Sequence, residues 1–116
     1  MKNKNEIIPW WRINFSEDDI AKVSDSIRNE KISMGSVTEE FECLMAEALD
    51  IPYVVATSSG SVALLMSMMA LDIKAGDEVI IPNRTWIATA NAPMLLGAKP
   101  VLVDVLPDRP IMDTSL

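Results

Sequence analysis

The sequence lacks several residue types on which common catalytic sites depend. Its 116 residues include no histidine, a single cysteine, Cys43, and only four glycines. These absences exclude zinc clusters, Ser–His and Cys–His nucleophile pairs, and an internal disulfide bond. No Gly-Lys pair occurs, so the chain has neither a P-loop nor a dinucleotide-binding fingerprint. Any chemistry must therefore use hydroxyls, carboxylates, lysines, backbone amides or a bound cofactor.

Positive charge and long apolar runs are also scarce. Ten lysines and arginines stand against 17 acidic residues, a net charge of −7, so the chain repels phosphate backbones. The longest apolar segment, residues 62–73, is far shorter than the roughly 20 residues of a membrane-spanning helix. The polar N-terminus offers no apolar core for a signal peptide, and a lone cysteine suits a reducing compartment. We therefore expect a cytoplasmic protein that binds neither nucleic acid nor membranes.

The first half of the chain predicts two amphipathic helices. Ser16 precedes three acidic residues, a typical helix start, and apolar residues then recur at helical spacing. After a turn at residues 34–36, a second helix places Val37, Phe41 and Leu44 on one face. Cys43 lies beside that face, which predicts a small buried hydrophobic residue. We interpret residues 1–52 as an N-terminal helical segment.

The second half alternates strand and helix patterns. With an apolar fraction of 49% and a length of 116 residues, the chain forms at most one domain. One helix is apolar nearly all round, which predicts burial on more than one side. Another contains Pro93, which predicts a kink or a later start. Short connections between alternating elements predict an α/β domain with a mostly parallel sheet. The predicted elements are a buried strand at 53–56, a helix at 62–71, a strand at 79–81, a helix at 86–96 and a strand at 100–105.

The turn at residues 57–61 carries the most chemistry. It joins a predicted strand to a predicted helix, and the first amides of a helix have no internal partners and carry partial positive charge. Three serines add hydroxyl donors, and Gly60 lets the backbone approach a ligand closely. This pattern predicts a site for a phosphate or another small anion. The alternative is an ordinary helix cap with spare serines, and the local sequence leaves both interpretations open.

Four segments resemble the DegT/DnrJ/EryC1/StrS family of sugar aminotransferases. Residues 57–64 resemble the family's "SGTAAL" turn, and residues 34–42 resemble its "G..V..FE" motif. Residues 75–82 resemble "GDEVIVP", and residues 97–105 resemble "GAKPVFVDV". Each motif alone is weak, but all four occur in the family's order across nearly the whole chain.

The resemblance implies the N-terminal part of an aspartate aminotransferase-like, fold type I enzyme that depends on pyridoxal 5'-phosphate (PLP). Such enzymes transfer an amino group, usually from glutamate, to a nucleotide-linked keto-sugar, and they work as homodimers. The family's phosphate-binding positions fall on Gly60, Ser61 and Val62, and the aromatic residue over the cofactor ring falls on Trp86. Residues 53–116 would then form the first strands and helices of the PLP-binding large domain.

The resemblance also places two essential residues beyond residue 116. In the family, the lysine that forms a Schiff base with PLP and the acid that pairs with the pyridine nitrogen both lie further along the chain. None of the six lysines of this sequence is placed to replace that lysine, since each falls in a tail, a turn, a surface helix or a remote strand end. We therefore expect an inactive N-terminal fragment with no catalytic residue of its own. The alternatives are a non-catalytic or regulatory module that binds a phosphate ligand, and a vestigial truncated product.

Overall fold

The computed structural model describes residues 11–115 and divides after Ala56 into two units. The first ten residues of the predicted helical segment 1–52 lie outside this description, and its predicted boundary after residue 52 stays a prediction. No helix among the described residues is long and apolar enough to cross a membrane. The elements are α1 (Glu17–Arg28), α2 (Ser36–Leu49), α3 (Gly60–Ala70), β1 (Glu78–Pro82), α4 (Ala88–Leu95) and β2 (Lys99–Val103).

The first unit contains the two predicted amphipathic helices. Helix α1 starts with a capping box: the Asp19 N–H donates to Ser16 Oγ at 3.2 Å, and the Ser16 N–H donates to Asp19 Oδ2 at 2.8 Å. These reciprocal bonds satisfy amides that have no partner within the helix. Helix α2 ends at Asp50, which adopts the left-handed conformation. The predicted helix positions are confirmed in both cases.

The apolar faces of these helices are exposed, which corrects one prediction. Ile20, Val23 and Ile27 on α1 and Phe41 on α2 all remain at least half exposed. Cys43 is exposed as well, so its predicted burial is wrong. The sequence pattern identified the apolar face of α2 correctly, but nothing in the part of the chain that the structure describes covers it. A side chain beside an uncovered face stays in contact with solvent.

Residues 53–56 do not form the predicted buried strand. The segment has no regular secondary structure and pairs with no described strand, and Tyr53 is 86% exposed. A strand needs a neighbour to complete its ladder of hydrogen bonds, and residues 11–115 provide none here. Instead, the Ala56 N–H donates to Glu42 Oε1 at 2.7 Å, a contact that joins α2 to the end of this segment.

The second unit contains a parallel two-stranded sheet. Strand β1 pairs with β2 in a register that runs from Glu78 opposite Lys99 to Pro82 opposite Val103. Helix α4 connects the strands and packs against both, while α3 packs against α4. The side chains buried around α4 are mostly small, which allows helix and strands to approach closely. They are Ile81, Ala88, Ala92, Pro93 and Ala98.

Both helices of this unit differ from the sequence prediction in detail. Helix α4 begins at Ala88 rather than at 86, so of the two outcomes predicted from Pro93 the later start is confirmed. Helix α3 begins at Gly60, two residues earlier than predicted. Its predicted burial on more than one side is wrong, because Met66 and Met69 are exposed. Within the described chain, α4 is the one helix that packs closely against α3.

Candidate functional site

The turn before α3 presents free backbone donors. Ser59 is the helix cap: its Oγ accepts the Val62 N–H at 3.3 Å, and its carbonyl accepts the Ala63 N–H at 3.0 Å. The Thr57 hydroxyl also donates to the Ser59 carbonyl, at 3.1 Å. Among the residues that the structure describes, nothing accepts the N–H groups of Gly60 and Ser61. These two donors lie at the positive end of the α3 dipole, where an anion binds favourably.

The three predicted phosphate-binding residues differ in how available they are. A Cβ built on Gly60 meets no atom within 4 Å, so the space above this amide is open. Ser61 is exposed, and its hydroxyl bonds no described residue. The Val62 N–H, by contrast, is already engaged by Ser59 Oγ, although the bond is long. Gly60 and Ser61 are therefore the better placed donors.

Trp86 and the start of α3 border the same hollow. This space, here named the Trp86 hollow, has a volume of about 530 Å³ and is lined by Gly60, Ser61, Ala63, Leu64, Ser67, Trp86 and Ala88. Trp86 is 78% exposed, so most of its indole is free to contact a ligand. The structure thus places Gly60, Ser61 and Trp86 around one hollow, whereas Val62 is absent from its lining.

The sequence analysis missed the α3 side of the hollow. Gly60, Ala63, Leu64 and Ser67 follow the spacing i, i+3, i+4 and i+7, which places them on one helix face. This periodicity was available in the sequence, but the nearly uniform apolar character of the helix concealed it. Ser67 donates its hydroxyl to the Ala63 carbonyl at 2.9 Å, so its oxygen remains available as an acceptor.

The backbone around Trp86 is held by hydrogen bonds at the start of α4. The Trp86 carbonyl accepts the Thr89 N–H at 3.0 Å, and the hydroxyls of Thr85 and Thr89 lie 3.0 Å apart in a hydrogen bond. These bonds fix the last residues of the loop between β1 and α4. The exposed indole therefore projects from a backbone of defined conformation.

None of the residues found to line the Trp86 hollow in the described part of the chain is a lysine or an arginine. Lys74 pairs with Asp72 at 2.7 Å, and Lys99 pairs with Glu78 at 2.8 Å. The hydrogen bond to Glu78 raises the pKa of Lys99, whereas a lysine nucleophile needs a lowered pKa. Lys22 and Lys31 belong to the other unit. Among the described residues, the hollow thus offers an anion backbone amides and the positive end of a helix dipole rather than a cationic side chain.

Comparison with known proteins decides the family. The sequence profile of the DegT/DnrJ/EryC1/StrS aminotransferase family matches residues 14–116. The chain belongs to the DegT/DnrJ/EryC1/StrS aminotransferase family. A curated relative, the UDP-4-amino-4-deoxy-L-arabinose--oxoglutarate aminotransferase of Shewanella sediminis, is 38% identical over 112 residues. That alignment covers 97% of this chain and 29% of the relative.

Solved structures of aminotransferases match the fold as well. The PMP-form of a Streptococcus pneumoniae protein, provisionally named a sugar aminotransferase, is 33% identical with a TM-score of 0.86. The match covers 94% of this chain and 28% of that one. A family member from Brucella abortus is 35% identical with a TM-score of 0.76, over 83% of this chain and 26% of that one.

These matches confirm the predicted family and fold class. The chain has the α/β architecture of the N-terminal part of a fold type I, PLP-dependent aminotransferase, with a parallel sheet and flanking helices. It spans less than a third of the length of each of the three proteins compared above.

Proposed function

We propose that this chain is the N-terminal part of a PLP-dependent aminotransferase that acts on nucleotide-linked keto-sugars. The observation that carries the proposal is the Trp86 hollow, where two free amides at a helix N-terminus face the same space as an exposed indole. A phosphate next to an aromatic ring needs this combination of anion donors and a flat apolar surface. The donor set therefore fits PLP.

Gly60 and Ser61 would bind the cofactor phosphate. Their N–H groups have no partner among the described residues, and Ser61, which lines the hollow, also has a hydroxyl that can donate. Hydrogen bonds from neutral donors to a charged phosphate are stronger than neutral pairs. Val62 is part of the same proposal, but its N–H must leave Ser59 Oγ before it can contribute.

Trp86 would lie against the cofactor ring. An indole offers the broadest aromatic face in proteins, and its negative quadrupole attracts an electron-poor, cationic pyridine ring. When bound, PLP supplies an electron sink for the carbon from which the amino group is taken. The residues of this chain would bind and orient PLP, while the reactive lysine would come from elsewhere in the enzyme.

The remaining parts of the proposal follow from the family. The Shewanella relative is named for oxoglutarate, the keto acid that corresponds to glutamate, and this supports glutamate as the amino donor. Its UDP-linked sugar supports a nucleotide-linked keto-sugar as the acceptor. A cytoplasmic homodimer completes the proposal and follows from the family resemblance and the lone cysteine.

A second candidate function is non-catalytic binding of a phosphate-bearing ligand. It is favoured by the absence of lysine from the lining of the hollow and by the pairing of Lys74 and Lys99 with acids. In this case the ligand binds reversibly and no covalent bond forms.

Titration with PLP tests the site. We expect Trp86→Ala to raise the dissociation constant of PLP by roughly 2- to 10-fold, because the stacking contact is lost. Trp11→Ala is the matched control: Trp11 is comparably exposed, at 68%, but lies in the other unit and outside the lining of the hollow. Affinity is measured from the visible absorption of PLP, with inorganic phosphate as competitor. Equal losses in both variants, or no competition by phosphate, would contradict the proposed site.

Borohydride reduction followed by mass spectrometry tests whether this chain itself holds a lysine that reacts with PLP. A lysine of this chain that becomes covalently labelled by PLP would contradict both candidate functions, because the first takes its reactive lysine from elsewhere in the enzyme and the second forms no covalent bond. An unchanged mass, together with binding that phosphate displaces, supports reversible binding of a phosphate ligand.

A further inference from the structure

The carboxyl ends of β1 and β2 are joined by a pair of side chains that the proposed site does not use. Asn83 directly follows β1, and Asp104 directly follows β2. The Asn83 side-chain amide donates to Asp104 Oδ1, and the Asn83 N–H donates to the Val103 carbonyl at 2.8 Å. The Asp104 carbonyl in turn accepts the Asp113 N–H at 2.8 Å. Hydrogen bonds to the carbonyl before Asp104 and to its own carbonyl thus fix the backbone on both sides of this residue.

This pair lies at the start of the loop that carries Trp86. Asn83 precedes Trp86 by three residues, and the loop ends at α4, where Thr85 and Thr89 are bonded. The indole is 78% exposed, so side-chain packing contributes little to its placement. Its position therefore depends on the conformation of the loop backbone.

We infer that Asp104 is a positioning residue: by binding the Asn83 amide it fixes the β1–α4 loop and so holds Trp86 at the hollow. The inference rests on the proposed function, since the ring that Trp86 contacts is taken to be that of PLP. A carboxylate suits this task because it accepts a charge-assisted hydrogen bond, which is stronger than a neutral one. Neither Asn83 nor Asp104 lines the Trp86 hollow, so any effect on a ligand there passes through the loop.

The experiment measures the conformation of the loop and the affinity for PLP separately. The chain is labelled with 5-fluorotryptophan, and the ¹⁹F resonance of Trp86 is assigned by its loss in Trp86→Phe. We expect Asp104→Ala to shift and broaden this resonance and to raise the dissociation constant of PLP roughly 3- to 10-fold, as expected for one lost hydrogen bond. Asp104→Asn keeps an acceptor oxygen and should restore both readouts to near the wild-type values.

Two further variants keep the test decisive. Asp108→Ala is the matched control, since among the described residues that carboxylate bonds the side chain of the neighbouring Arg109, and its loss should leave the Trp86 resonance unchanged. Asn83→Ala removes the same hydrogen bond from the other side, and it replaces Asp104→Ala if that variant fails to fold. An unchanged Trp86 resonance in the folded variant, or an equal change in Asp108→Ala, overturns the inference.

Failure of the proposed function gives a different result. If the Trp86 resonance responds to Asp104→Ala but PLP does not bind the wild-type chain, the positioning role stands and the cofactor assignment falls. If PLP binds the wild-type chain, Asp104→Ala and Asn83→Ala equally, the cofactor assignment stands and the positioning role falls.

Discussion

At Gly60 the demands of folding and of ligand binding differ. Its backbone is that of an ordinary helix start, and an added Cβ meets no atom within 4 Å. The fold therefore does not need glycine at this position. A methyl group here would, however, occupy open space next to the two free amides of the hollow.

Gly60→Ala should therefore separate stability from affinity. We expect the free energy of unfolding to stay unchanged or to rise by up to about 1 kcal/mol, because alanine restricts the unfolded chain and favours helix. The affinity for PLP and for inorganic phosphate should fall. Urea denaturation and ligand titration measure the two quantities on the same sample.

Gly97→Ala is a control in which stability should change and affinity should not. Gly97 has a φ of +79°, and a Cβ there would lie 3.1 Å from the Cβ of Ala75. This substitution should destabilise the chain by roughly 1–2 kcal/mol, while Gly97 lies outside the lining of the hollow. If Gly60→Ala were to lower stability as much as Gly97→Ala, or to leave affinity untouched, the role assigned to the Gly60 amide would be wrong.

Among the elements, α1 has a stability that should depend on pH. The hydrogen bond from the Ser16 hydroxyl is the main reason why the pKa of Asp19 lies below its ordinary value of 3.8. A carboxylate whose pKa is lowered in the folded state stabilises the fold at pH values above its ordinary pKa. This contribution is lost as the pH falls through the lowered pKa. The capping box of α1 should therefore weaken in acid.

Hydrogen exchange and circular dichroism of the chain between about pH 5 and pH 2 check this expectation. Wild-type α1 should lose protection and helicity as the pH falls, and Ser16→Ala should reduce both at neutral pH while flattening the pH dependence. Asp18→Asn is the control, since Asp18 lies in the same turn and forms no side-chain hydrogen bond with a described residue. A pH profile that Asp18→Asn changes as much as Ser16→Ala would count against the capping box.

The elements also show what the sequence could predict. Helix starts and ends depend on nearby residues, so the Ser16 cap and the stop at Gly97 are readable from short patterns, and the structure has both. Burial depends on neighbours that are distant in sequence. For this reason the strand at 53–56 and the burial of Cys43 were predicted wrongly.

The candidate site also combines features that depend on nearby residues with features that depend on residues distant in sequence. The free amides of Gly60 and Ser61 could be predicted because they arise from any helix that starts after a serine cap. The meeting of these amides with Trp86 required the family resemblance, because the packing of α3 on α4 is tertiary. The bond between Glu42 and the Ala56 amide spans 14 residues and follows no periodic pattern, so the sequence could not predict it.

For the whole molecule, the main physical problem is uncovered apolar surface. Ile80 on β1 and Leu102 on β2 are 60% and 66% exposed, and each strand has just one neighbour in the described chain. An unpaired strand edge beside exposed apolar side chains favours association with another chain. The net charge of −7 opposes association, but salt screens that repulsion.

The purified chain should therefore self-associate, and more strongly as the salt concentration rises. Leu102→Lys should reduce this association, because it replaces exposed apolar surface on the sheet with a hydrated charge. Met34→Lys is the matched control: Met34 is 92% exposed in a turn outside every helix and strand, and the substitution changes net charge by the same amount. Sedimentation velocity over a range of protein and salt concentrations measures the effect. If both variants change association equally, the sheet surface does not control it, and a monomer under all conditions would remove the argument from exposed surface altogether.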